Sequence, residues 1–181
     1  LPAAAGSPHA QLYHSIFTVR KEIIMAIPTQ IRDFLDKNQV AYTFCTHSPA
    51  YTAQGLAHVQ HVSGKELAKV VMVVADDRMV MTVLPGSHRV NLDRLAQVLG
   101  VKSVRLATED EFRGLFPDCE LGAMPPFGNL YSLDLWADES LQTHPTIVFN
   151  AGSHIETIQM SYGDFKRLAK PKVASFSELR H

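Results

Sequence analysis

Ala68-Lys-Val-Val-Met-Val-Val-Ala75, Asp76-Asp-Arg78 and Met79-Val-Met-Thr-Val-Leu84 form the stretch from which the fold is read. Two apolar, β-branched runs joined by a tight polar reversal predict an antiparallel hairpin. Strand alternation puts Lys69, Val71 and Val73 on one face and Val70, Met72 and Val74 on the other. Both faces are apolar, so this strand is expected inside a sheet with its lysine held near a dry wall. A buried ammonium is unfavourable unless it meets an anion or a strong acceptor. The alternative is that Lys69 reaches out to water at the strand's end.

Punctuation around the hairpin is regular. Upstream, Ile27, Ile31, Phe34 and Leu35 predict a short amphipathic helix ending near Asn38. Val40–Cys45 reads as a strand, His47-Ser48-Pro49 as a turn, and Thr52 as the cap of a helix running to about Val62. Ser63 and Glu66 have capping-box spacing. Downstream, Asn91 caps a helix carrying Leu92, Leu95, Val98 and Leu99, with Gly100 as its stop. Ser103–Leu106 reads as a strand, and Thr108 with Glu111 opens a short helix through Leu115. Leu130–Trp136, Thr146–Asn150 and Ile155–Met160 follow as strands. Ser161 caps a last helix, and Val173–Phe176 adds an edge strand. Roughly seven strands and five helices without a βαβ rhythm predict an α+β fold with a mixed, largely antiparallel sheet surrounded by short helices.

One loop stands out: Gly122-Ala-Met-Pro-Pro-Phe-Gly-Asn129. Two prolines fix φ and two glycines open unusual geometry, which excludes helix or central strand. Such a loop is either a rigid connection or a cradle whose backbone amides face an anion or a polarised carbonyl.

At 181 residues the chain suffices for one domain with a sizeable core. A formal charge of −1 gives no global attraction to polyanions, so any such contact must be local. No Lys or Arg occurs from Gly114 to Phe165, whereas Lys166, Arg167, Lys170 and Lys172 follow closely. These four either touch a nucleic-acid backbone or simply complement a helix C-terminus. Cys45 and Cys119 are isolated, which suits a reducing cytosol, and no apolar run is long enough for a bilayer span. His58 and His61 read as solvated helix residues in preference to metal ligands. Asp76-Asp77 reads as serving the turn, Asp138-Glu139 as a solvated face, and Phe112, Leu115 and Phe116 as core. Leu1–Ile24 reads as a leader outside the fold, with residues 25–181 as the domain and Met25 as its natural start.

Lys69 leading its strand, Val83-Leu84-Pro85-Gly86, Val90-Asn-Leu-Asp-Arg-Leu95 and the Gly122…Pro126-Phe-Gly128 loop together resemble the YbaK/EbsC/ProX family. Ile147-Val-Phe-Asn-Ala-Gly-Ser-His154 and Tyr162-Gly-Asp-Phe165 extend the resemblance from Met25 to about Phe176. These are free-standing relatives of the editing domain inserted in bacterial prolyl-tRNA synthetases. The resemblance implies a cytoplasmic aminoacyl-tRNA deacylase that needs no metal or other cofactor. Its substrate would be the ester on the 3′ terminal adenosine of a mischarged tRNA. It implies no membrane or DNA partner, and leaves room for association with a synthetase.

By the same resemblance, Lys69 matches the required lysine, and Gly122 with Pro126 the substrate loop. Asn150 falls where some relatives carry a small polar residue, and Thr157 where some carry an acid. Tyr51 and His154, with His47, lie in flanking segments. Met124, Pro125, Pro126, Phe127 and Gly128 are expected to shape the substrate pocket. The expected chemistry has Lys69 hold a phosphate or ester oxygen while Gly122–Gly128 amides hold the carbonyl and the free ribose hydroxyl activates water. A non-catalytic module binding aminoacyl-adenosine or a tRNA end is the alternative, and hydrolysis of another small acyl ester is a third.

Overall fold

The computed structural model describes residues 29–180. The expected leader, the expected domain start at residue 25 and the helical position Ile27 lie outside them. Helix α1 spans Thr29–Lys37, strand β1 Tyr42–Thr46 and helix α2 Ala53–Gln60. The hairpin follows as β2 (Ala68–Ala75) and β3 (Arg78–Pro85), its reversal made by Asp76 and Asp77 at φ of 42° and 67°. Then come β4 (His88–Val90), α3 (Leu92–Leu99), β5 (Val104–Leu106) and α4 (Glu109–Phe112). The chain closes with β6 (Asp134–Asp138), β7 (Thr146–Asn150), β8 (Glu156–Ser161), α5 (Tyr162–Ala169), β9 (Lys172–Ala174) and β10 (Ser177–Leu179).

The architecture is α+β, as expected, with its strands divided among three sheets. Five strands in the order β5-β2-β3-β6-β9 make the main sheet, antiparallel through the hairpin and parallel across β3–β6 and β6–β9. A three-stranded antiparallel sheet, β1-β8-β7, stands beside it, and β10 pairs with β4. The first two sheets touch where Leu67 bridges Val148, with the Val148 amide donating to the Glu66 carbonyl at 3.0 Å.

As alternation requires, β2 is interior and has two dry faces. Ala68 and Met72 join a core containing Phe127, Phe149 and Phe165, while Val73 and Ala75 pack on the opposite side with Leu84, Leu95 and Phe176. Local capping chemistry matches the sequence well. The Thr52, Asn91 and Ser161 side chains cap α2, α3 and α5, and Gly100 ends α3 at φ 67°. Ser63 and Glu66 form their reciprocal bonds at 3.3 Å each.

Four expectations are corrected. The strand expected from Leu130 begins only at Asp134, because Gly128–Leu130 is a 3-10 turn and Ser132 adopts φ 56° before the chain straightens. Leu115 is 37% exposed, whereas Phe112 and Phe116 are core. Asp138 is not a solvated face: it is buried, and its carboxylate accepts the amides of Ser140, Phe176 and Ser177 at 3.0, 2.9 and 2.8 Å, together with the Ser140 hydroxyl. The expected edge strand Val173–Phe176 resolves into β9 and the further strand β10.

Candidate functional site

Lys69 is the second residue of β2, on the face it shares with Val71 and Val73. Its half-buried ammonium donates to the carbonyls of Gly86, at 3.3 Å, and His88. Of the two placements weighed in the sequence, the structure has the lysine at a dry wall meeting strong acceptors. Burial, and secondly the nearby Arg180 charge, bring its pKa down to about 8. It is still mostly an ammonium at neutral pH. An ammonium has three donors, so two carbonyls leave one N–H for a ligand.

The Gly122 loop approaches the same place by a different route. Gly122 sits at φ 85°, a conformation that side-chain-bearing residues rarely adopt. Its amide faces the Met124 sulfur at 3.2 Å. The Ala123 amide donates to the Glu120 carbonyl at 3.0 Å and the Phe127 amide to Pro125 at 2.8 Å, so both are consumed inside the loop. The loop is tied to the β7–β8 connection by His154. That ring donates from Nε2 to the Leu121 carbonyl at 2.8 Å, while the His154 amide donates to the Glu120 carboxylate, also at 2.8 Å. The Tyr51 ring packs against His154 at a tilt of 52°, with centroids 4.9 Å apart.

A cavity of about 170 Å³ opens between these elements. Lys69, Ala68 and Val70 of β2 line it together with Gly122, Met124, Asn150, Tyr51 and the apolar side of α2 at Ala53 and Leu56. Neither a carboxylate nor an imidazole is among its lining residues. Asn150 contributes a buried Oδ1 with no hydrogen-bond partner among the described residues. Tyr51 is 75% exposed and stands at the wall as an aromatic face.

Five of the expected site residues thus meet at one cavity: Lys69, Gly122, Met124, Asn150 and Tyr51. The others lie elsewhere. His154 supports the loop and Tyr51 from behind. Thr157 is buried in the three-stranded sheet opposite Cys45 and Asn150. Pro125, Pro126, Phe127 and Gly128 are buried and do not line the cavity. The Phe127 ring sits edge-on to Phe34, Phe149 and Phe165 at 5.7–5.8 Å, and a Cβ on Gly128 would fall 2.8 Å from the Leu133 carbonyl oxygen. This half of the loop is a core anchor, because a fully apolar ring gains more from burial than from lining a polar cavity. Sequence reasoning missed the α2 wall, for which Ala53 and Leu56 on one helix face were the available signal, and the turn carbonyls that hold Lys69.

Among known proteins, the family described as "Aminoacyl-tRNA editing domain" matches residues 47–168. A proline–tRNA ligase of Macrococcus caseolyticus (strain JCSC5402) is 28% identical over 140 residues, covering 71% of this chain and 24% of the ligase. The multifunctional Ser/Thr-tRNA deacylase ProXp-y of Escherichia coli (strain K12) is 32% identical over 98 residues, covering 54% of this chain and 58% of the deacylase. The chain therefore spans about a quarter of the first relative's length and rather more than half of the second's. The fold is shared with the hypothetical protein APE2540, at TM-score 0.75 and 22% identity over 82% of this chain and 99% of that one. It is also shared with a putative trans-editing enzyme for prolyl tRNA synthetase, at TM-score 0.71 and 20% identity over 83% and 96%. Among the described residues no helix is long and apolar enough to cross a membrane.

Proposed function

Since the chain belongs to the aminoacyl-tRNA editing domain family, we propose that it hydrolyses the ester between a wrongly attached amino acid and the 3′ terminal ribose of a tRNA. The observation that carries this reading is the convergence of Lys69 and Gly122 on one cavity. Ester hydrolysis develops negative charge on the carbonyl oxygen. Removing one preorganised donor to such an oxygen typically raises the barrier by about 3–4 kcal/mol. Lys69, with an N–H to spare, anchors the anionic or ester oxygens at the cavity wall. The backbone at Gly122 and Met124 faces the acyl group, and the Asn150 side chain faces its polar substituents.

The attacking water needs a base. The cavity lining supplies no carboxylate or imidazole, and an ammonium cannot accept a proton. The vicinal ribose hydroxyl of the substrate fills that role as a relay, taking the water's proton while passing its own to the departing ester oxygen, so the chemistry requires no metal and should survive chelation. Selectivity arises from the room between α2, Met124 and Asn150. One methylene alters binding by only ~1–3 kcal/mol, which is why a second, size-selecting hydrolytic site is useful to synthetases that charge small amino acids.

A panel of mischarged tRNAs, with seryl- and threonyl-tRNA first because of the ProXp-y relative, tests this reading. Multiple-turnover release of amino acid above the buffer rate, persisting in EDTA and lost in Lys69→Ala, is the expected result. Saturable binding without turnover would overturn it in favour of a tRNA-end binding module attached to a synthetase. Equal cleavage of an ester lacking the vicinal hydroxyl would overturn the substrate-assisted step.

A further inference from the structure

The family match ends at residue 168, yet the chain continues through β9 and β10. This extension returns to the lysine. Ser177, Glu178 and Leu179 pair with Val90, Arg89 and His88, and the Arg180 amide donates to the Ser87 carbonyl at 3.0 Å. Ser87 lies between Gly86 and His88, the two residues whose carbonyls hold the Lys69 ammonium. The extension is firmly anchored. The buried Asp138 carboxylate takes the Phe176 and Ser177 amides, and the Ser177 hydroxyl meets His88 Nδ1 at 2.7 Å. Glu178 accepts from Asn91 and Arg89, each at 2.8 Å.

The charges on this strand are not equally matched. Arg89 is neutralised by Glu178 at 2.8 Å, whereas Arg180, exposed beside the Lys69 turn, has no carboxylate partner among the described residues. The Arg180 backbone is tied to the turn whose carbonyls hold the Lys69 ammonium, and its charge is felt at that ammonium, so two cations share this corner of the fold and can receive an anion. Resting on the reading of the cavity as an aminoacyl-adenosine site, we propose that Arg180 is a substrate-binding residue contacting the phosphodiester on the 5′ side of the tRNA's terminal adenosine, with Lys69 on the inner side. The guanidinium fork suits a phosphate better than an ammonium does, because it can donate two parallel hydrogen bonds.

The test uses the whole chain and three probes: adenosine 5′-methylphosphate as a diester mimic, adenosine, and inorganic phosphate. Isothermal titration with wild type, Arg180→Gln and Arg180→Lys gives the affinities. We expect the diester mimic to bind Arg180→Gln about tenfold more weakly, with partial recovery in Arg180→Lys and adenosine unchanged throughout. The salt dependence of uncharged tRNA binding should also flatten by about 0.7 in the log–log slope, the value for one single-strand phosphate contact. Unchanged affinity for the diester mimic in Arg180→Gln, or an equal loss for adenosine and the mimic, overturns the inference, the latter outcome marking a structural role. Inorganic phosphate binding as tightly as the mimic also overturns it, since the site would then be one for free phosphate. Because these are binding measurements, failure of all mischarged tRNAs to turn over would remove the deacylase reading without altering this result.

Discussion

The two walls of the cavity are built on different principles. The Lys69 wall is part of a strand laddered to β3 along its whole length and to β5 at its far end, with apolar clusters against both faces. Its position follows from sheet register, which backbone bonds repeated over eight paired residues determine. The Gly122 wall has no ladder. It is held by the Phe127 anchor at one end and, at the other, by the His154 bonds to Glu120 and Leu121 and a pair of backbone bonds, Glu120 amide to Gly152 carbonyl at 2.7 Å and Gly152 amide to Ala123 carbonyl at 3.0 Å. A wall set by many equivalent bonds tolerates the loss of any one, whereas a wall set by a few distinct contacts does not. Chemistry and stability should therefore separate differently on the two sides.

The sharpest break is expected from Lys69→Ala, which removes the charge but leaves the strand. Deacylation should fall about 10²–10³-fold in single-turnover assays while the circular dichroism spectrum is kept. Asp138→Asn comes next and acts on stability, since a buried acceptor of several bonds loses its charge. Denaturant titration should show a loss of about 2–3 kcal/mol. Burial opposes ionisation of Asp138, but the Ser140, Phe176 and Ser177 donors outweigh it and hold its pKa below the ordinary 3.8. The unfolded chain then binds the proton first on acidification. The advantage of wild type over Asp138→Asn is thus present above that value and lost as pH falls through the folded-state pKa.

On the loop side, Gly122→Ala places a side chain at φ 85°, with only an ordinary 3.5 Å contact to His154. Strain of about 1–2 kcal/mol is expected, with a greater loss of deacylation than of melting temperature if this wall is the one that shapes the acyl site. His154→Ala releases the Leu121 carbonyl and the Tyr51 ring. About a tenfold loss of activity is expected, with a stability change near 1 kcal/mol. Titration tests the same charge gradually: with the Lys69 pKa at about 8, the enzyme-dependent rate should decline steadily above pH 8 as the ammonium is lost. A rate insensitive to pH up to 10 would remove Lys69 from the charged step.

Much of this was legible because it is local. The hairpin, the Thr52, Asn91 and Ser161 caps and the Asp76–Asp77 reversal depend on residues within a few positions of one another. The dual apolar pattern of β2 likewise announced an interior strand with an unusual lysine. Met124 and Phe127 were not separable by type, since both are apolar loop residues. Their division into cavity wall and core anchor depends on which of them reaches Phe34, Phe149 and Phe165. Asp138 read as solvated because it lies beside Glu139. Only strand β10, about forty residues later, delivers the amides that bury it.

By itself, then, the sequence determined most of the elements, their caps, the interior character of β2 and the family resemblance, since each of these is written in short-range pattern. Tertiary structure alone decided which loop residues face the cavity, which carbonyls hold the ammonium and that the C-terminal strand returns beside it. Those outcomes depend on contacts between distant segments, where a side chain's role is set by what the rest of the chain brings to meet it.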